Sequence, residues 1–223
     1  MLKAFKVSSV IIVALLLLMI SVSCGSTGPA PSGELPTWHV GDTWTTKSVI
    51  FGYEDTFVYT VTGEQIYNGI DCYNVTAQTT MNGFTDTYIQ AYDKSTLSLR
   101  SVMGPTLITN TLCNYSVKKY PLSLGKTWTD IGTTTTFLSG GNQTTQTYNY
   151  TYKVESIERI TVPAGTFHCF KVVWYDSNDS MIGTEWLTDV TRGVPVKQSV
   201  PISVGNVTSS QTTIEMTSYS FSK

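Results

Sequence analysis

At 223 residues the chain is long enough to bury a core in one large β domain or two small ones. Hydrophobic residues make up 41% of it and aromatics 12%, yet only 13% are charged, the net charge is −2 and no basic block exists, which excludes nucleic acid as an expected partner. Tyr, Thr, Ser, Asn and Gly carry the polar surface in place of Lys and Glu, a composition that suits an exported β protein better than a cytoplasmic enzyme.

The first segment, MLKAFKVSSVIIVALLLLMISVSCGS, has Lys3 and Lys6 ahead of an apolar stretch from Val10 to Ile20 and small residues up to Cys24. That is the order of a secretory signal, expected over 1–23. The apolar core is shorter than the ~20 residues a spanning helix needs, although an uncleaved anchor is the alternative. At Cys24 the segment resembles a bacterial or archaeal lipoprotein signal, in which cleavage leaves a lipidated N-terminal Cys. Ser23 fits the small residue expected before it, and Ser21 departs from the usual aliphatic one. Each acyl methylene buried in a bilayer contributes ~0.8 kcal/mol, so such a group would tie the chain to the membrane. Residues 24–37, rich in Gly, Ser and Pro, then read as a flexible tether.

From Trp38 on, the pattern is strands and turns. TFVYTVTGEQIY and NYTYKVESIERITV alternate and are rich in β-branched and aromatic residues, with NGF, SGGN and PAG as turns between strands. No dozen residues outside the signal carry a helical period. The expected fold is all-β, with antiparallel sheets arranged as a sandwich, open barrel or curved sheet.

The chain also repeats itself. VGDTWTTK (Val40 to Lys47) answers to LGKTWTDI (Leu124 to Ile131), and YTVTGEQIYNGIDCYNV (Tyr59 to Val75) to YKVESIERITVPAGTFHCFKV (Tyr152 to Val172). YDKSTLSLR answers more weakly to LTDVTRGVPVK. Two similar β units are therefore expected, at 38–102 and 120–223, with 103–119 as connector and a closing strand near Thr212 to Phe221. In the second unit Pro163 pre-sets φ for a turn and Gly165 suits its exit, which makes the segment a hairpin. Beyond it Phe170, Val172 and Trp174 share one strand face, and Phe167, Cys169 and Lys171 the other. Matching them to Tyr73, Val75 and Ala77 places the first set in the core and the cysteines on the more polar side.

Chemistry-bearing residues are sparse. If Cys24 is lipidated, Cys72, Cys113 and Cys169 remain as disulfide candidates, one bridge and one free thiol being the simplest outcome outside the cell. Sequons at Asn74, Asn114, Asn142, Asn149, Asn178 and Asn206 are candidate glycosylation sites. The two histidines, His39 and His168, are far apart and show no metal-ligand spacing. No nucleophile elbow, Walker loop or dinucleotide fingerprint occurs. The carboxylate pairs Glu54 with Asp55, and Asp176 with Asp179, read as solvated loops, the latter offering at most a weak Ca²⁺ site. No catalytic residue, metal or cofactor is expected.

VGDTW, YPLSLGKTW and ITVPAGTFHCFKV followed by WLTDV resemble a group of exported prokaryotic proteins of unknown function, many of them lipoproteins. Their pattern falls here on Gly125 and Trp128, then Glu158, Val162 to Phe167, Lys171 and Val172, then Trp186. The resemblance covers roughly Trp38 to Ser199 and implies a β-rich domain outside the cytoplasm with no established activity. The expectation is thus a non-enzymatic lipoprotein, extracytoplasmic and held to the cell membrane through its front end (alternatively secreted). It would bind a glycan, peptide or lipid through exposed aromatics. A purely structural envelope component, an acyl-chain carrier or an unrecognised hydrolase are the alternatives. An aromatic-lined pocket of a few hundred Å³ would favour binding, and a filled interior a structural role.

Overall fold

The structure, a computed structural model, describes residues 30–50, 53–81, 84–104, 108–114, 119–138, 141–204 and 207–222. The signal at 1–23, Cys24 and Asn206 lie outside these residues. Twelve strands are described: β1 (Thr43–Ile50), β2 (Tyr53–Tyr67), β3 (Ile70–Met81), β4 (Phe84–Asp93), β5 (Leu99–Met103), β6 (Ile108–Asn114), β7 (Thr127–Leu138), β8 (Gln143–Val162), β9 (Gly165–Tyr175), β10 (Met181–Leu187), β11 (Lys197–Val204) and β12 (Val207–Ser220). The only helix described is a 3₁₀ turn at Asp189–Thr191. All pairings are antiparallel between chain neighbours, and β1 also pairs with β12, so the ladder runs round into a closed barrel. All-β antiparallel architecture was legible beforehand. The closure was not, because it depends on pairing between strands at opposite ends of the sequence. The ladder is thinnest between β5 and β6, where two residue pairs join the strands. The stretch 103–119, expected as connector, supplies β6.

Up-and-down order puts the connections alternately at two ends. Residues 30–42, the turn at Asn68 and Gly69, the segments 94–98, 119–126 and 188–196, and the chain's last residues gather at one end. At the other end β1, β3, β5, β7, β9 and β11 finish, and the described β9–β10 turn lies there. The first end is plugged by Trp38. Its ring lies 5.2 Å from Trp44, 5.4 Å from Tyr73 and 5.2 Å from Tyr92, and its indole N–H donates to the Arg192 carbonyl at 2.9 Å. Around it Val61, Val75, Val162, Val196 and Met216 are buried in one core cluster. A second cluster joins Leu122, Trp128, Tyr152, Val154, Phe170, Val172 and Leu187. Each such apolar side chain contributes about 1.5–3 kcal/mol by leaving water.

The stretches that match in sequence make matching contacts. The Gly41 N–H donates to Val61 O at 2.8 Å and the Gly125 N–H to Val154 O at 2.9 Å. Trp44 stacks on Tyr59 at 5.1 Å and 10°, Trp128 on Tyr152 at 5.3 Å and 8°. The register slips once just after each valine, between Val61 and Gly63 and between Val154 and Ser156. Past that bulge the β8–β9 hairpin reaches β12, where the Ala164 N–H donates to Met216 O at 3.1 Å.

One expectation needs correcting. Residues 30–37 belong to the stretch read as a tether, but they are docked on the plugged end. The Leu122 N–H donates to Gly33 O at 2.6 Å, and the Ser32 N–H donates to the Asp189 carboxylate. Gly33 has φ +76°, and a Cβ there would stand 2.0 Å from the Leu122 carbonyl oxygen. Only glycine permits that approach, so the Gly-rich composition serves close packing here.

Candidate functional site

A cavity of about 460 Å³ rises from the plug between the β12–β1–β2 wall and the residues that face it from β4, the β4–β5 connection and β10. The register explains its lining. Trp44 and Tyr59 are cross-strand partners and form the lowest inner row, with Trp38 and Tyr92 beside them. One row up, Thr46 pairs with Phe57. The third row is polar: Glu185 pairs with Gln198, Gln198 with Ile214, Ile214 with Ser48, and Ser48 with Asp55. The cavity is thus aromatic at its floor and polar above.

Two carboxylates sit at the ends of that polar row. Asp55 accepts a hydrogen bond from the Thr79 hydroxyl. Glu185 is only 2% exposed; its Oε2 accepts a long hydrogen bond from the Gln198 amide at 3.4 Å, and its Oε1 has no partner. Burial, foremost, pushes the Tyr59 phenol up to about 12; the Thr46 hydroxyl works against this and the Asp55 charge adds to it. Four strand spacings separate Glu185 from Asp55, about 19 Å along the wall.

The sequence reasoning missed this site. It put Glu54 and Asp55 in a loop, whereas both lie in β2. There Glu54 faces outward to Lys47 at 2.7 Å and Asp55 inward. Glu185 was not singled out, although its spacing from Gly183 and Leu187 in MIGTEWL sets one acid on an otherwise apolar strand face.

The other expected residues are placed elsewhere. Pro163 and Ala164 form the two-residue tip between Val162 and Gly165, which are cross-strand partners. Glu158, Lys171 and Trp186, distant in sequence, meet across β8–β9–β10: the Trp186 indole N–H donates to Glu158 Oε2 at 3.0 Å and Lys171 Nζ lies 3.7 Å from Oε1. The Trp186 and Ser156 hydrogen bonds hold the Glu158 carboxyl below its ordinary value against its burial, with Lys171 helping.

Cys72 and Cys169 do not form a disulfide; both are free and fully buried. Cys72 lies beside the Asp93–Arg100 ion pair, closed at 2.6 Å, and burial followed by the Asp93 charge raises its pKa. Cys169 sits among Val162 and Phe167, and burial foremost pushes its thiol up to about 12. The more polar side on which the cysteines were expected is buried as well, because the β8–β9 hairpin folds onto β12 and covers Cys169, while Cys72 lies under the β4–β5 turn and its ion pair. Cys113 and Asn114 lie in β6, and their side chains are outside the described residues.

Among the sequons, Asn142, Asn149 and Asn178 are exposed, whereas Asn74 buries its side-chain oxygen between β2 and β4 without a partner. Asp176 accepts the N–H groups of Asn178 and Ser180 at 2.8 and 2.9 Å, which makes it a turn former. No metal-ligand cluster occurs among the described residues. His168 is half-buried in β9, opposite Arg159.

His39 belongs to a clasp at the plugged end. Asp42, fully buried, accepts the His39 N–H at 2.7 Å, the Ser222 N–H at 2.8 Å and hydroxyl at 3.0 Å, and the Arg192 guanidinium at 2.9 Å. Arg192 also donates to the carbonyls of Thr37 and Ser222 and lies 5.6 Å from the Phe221 ring. Burial works against the Asp42 charge, but these donors outweigh it and hold the carboxyl below its ordinary value.

Residues 107–194, less than half of the chain, match the DUF3108-like family. No curated protein matches the chain. Two solved structures are similar in shape. One is a candidate exported protein with a YmcC-like fold from Bacteroides fragilis NCTC 9343, 13% identical with a TM-score of 0.49 over 84% of this chain and 99% of that one. The other is a candidate lipoprotein from Parabacteroides distasonis ATCC 8503, 14% identical with a TM-score of 0.41 over 86% of this chain and 100% of that one.

Proposed function

We propose that this protein is an exported, non-catalytic binding module that stays tied to the cell membrane through Cys24 and takes a small ligand with an apolar body into its barrel. The cavity carries the reading. Its volume of about 460 Å³ falls in the range of small-molecule sites, and its aromatic floor offers a large contact area at little cost in side-chain freedom. A purely structural component would fill that space with its own side chains.

The direct test is titration of the full chain in lipid nanodiscs with a neutral probe, 4-phenylbutanol, followed by calorimetry and by the fluorescence of Trp38 and Trp44. Saturable one-to-one binding is expected, abolished by Ser48→Phe, which fills the cavity. Absence of binding to a folded chain, by this probe and by its amine and carboxylate analogues alike, would refute the binding role. Intact mass of membrane-extracted protein tests the tether separately: it should show loss of residues 1–23 and an acyl increment.

A further inference from the structure

Resting on that reading, we infer that the ligand ends in a protonated amine, received by Glu185 above the aromatic floor. Three observations point the same way. The first is the chemistry of the lining: among the described residues it contains two carboxylates, Asp55 and Glu185, and no Lys, Arg or His. An anionic ligand such as a fatty acid would meet only like charge there, and like charge brought together away from water is costly.

The second is the free oxygen. Glu185 Oε1 is buried with no partner, and a buried acceptor left unmade costs more than a made bond contributes. The surrounding protein leaves it so. Gln198 reaches only the other oxygen, and Tyr120, near enough for the Glu185 charge to add to the burial that raises its phenol pKa, leaves its own hydroxyl unpartnered. Turning the Glu185 side chain further into the cavity it lines would bring Oε1 within reach of a ligand N–H, and the charge-assisted bond made there is roughly twice as strong as a neutral one.

The third is the arrangement of the remaining wall. Trp38, Trp44, Tyr59 and Tyr92 present rings below the carboxylate. Aromatic faces attract a cation as well as an apolar body. An arylalkyl or alkyl chain lies against the rings while its ammonium reaches up to Glu185.

The test uses three probes with one body and different heads: 4-phenylbutylamine, 4-phenylbutanol and 4-phenylbutyrate, each titrated at pH 7 into the full chain in nanodiscs, with empty nanodiscs subtracted. The parent chain should bind the amine about tenfold or more tightly than the alcohol, and the carboxylate more weakly than either. Glu185→Gln should remove most of the preference for the amine over the alcohol. If the alcohol binds but the amine is not favoured, or if Glu185→Gln keeps the preference, the head-group assignment is wrong while the cavity reading stands. If none of the three binds, both fall. The ratio of amine to carboxylate in the parent chain decides the matter even if the variant does not fold.

Discussion

Replacing Arg192 with Met keeps most of the aliphatic length and removes the guanidinium, which holds the buried Asp42 carboxylate at 2.9 Å and the carbonyls of Thr37 and Ser222. Removing one partner of a buried ion pair costs about 3–5 kcal/mol when nothing else supports the remaining charge. Asp42 keeps three donors, from the His39 and Ser222 backbone and the Ser222 hydroxyl, so the expected loss is smaller, about 2–4 kcal/mol. For a domain of this size that lowers the melting temperature by about 5–15 °C. The effect should depend on pH in a fixed direction. The Asp42 pKa is depressed on folding, so its charged form adds stability above the ordinary carboxylate range, and that stability is lost as pH falls through the folded-state value, below 3.8. Differential scanning calorimetry of parent and Arg192→Met chains at pH 7 and below pH 3 should show a large gap at the first and a small one at the second. An equal gap at both would mean that Arg192 acts through the Thr37 and Ser222 carbonyls and its packing on Phe221, and not through Asp42. No gap at pH 7 would mean that the clasp does not hold the chain ends.

Two further outcomes follow from the geometry. Gly165 has φ +139° and a Cβ there would lie 3.4 Å from the Phe167 ring, so Gly165→Val should cost about 1–3 kcal/mol, and an unchanged melting temperature would count against a strained turn exit. Cys72 and Cys169, buried and with raised thiol pKa values, should resist a thiol reagent at pH 8 in the folded chain and react on unfolding; rapid labelling of either in the native protein would contradict their burial.

Local pattern carried much of the fold. Alternation marked the strands, Pro163 and Gly165 marked a hairpin, and the Trp44 and Trp128 segments lined up in sequence as they do in their stacking. Three things stayed hidden for one physical reason, namely that they depend on contacts distant in sequence. The β1–β12 pairing closes the barrel, the folding of the β8–β9 hairpin onto β12 buries Cys169, and the row from Glu185 to Asp55 is drawn from five strands. Alternation says which residues share a face, but a closed sheet decides which face is the inside. Asp55 shows this directly, since it looked like half of a solvated acidic pair beside Glu54, and the pleat turns the two to opposite sides.

Gly33 pressed against Leu122 fixes more than a few residues of a linker. Because the chain leaves the barrel from beneath the Trp38 stopper, whatever retains the segment before residue 30 grips the molecule by its base. The β9–β10 tip then stands on the far side of the barrel from that support.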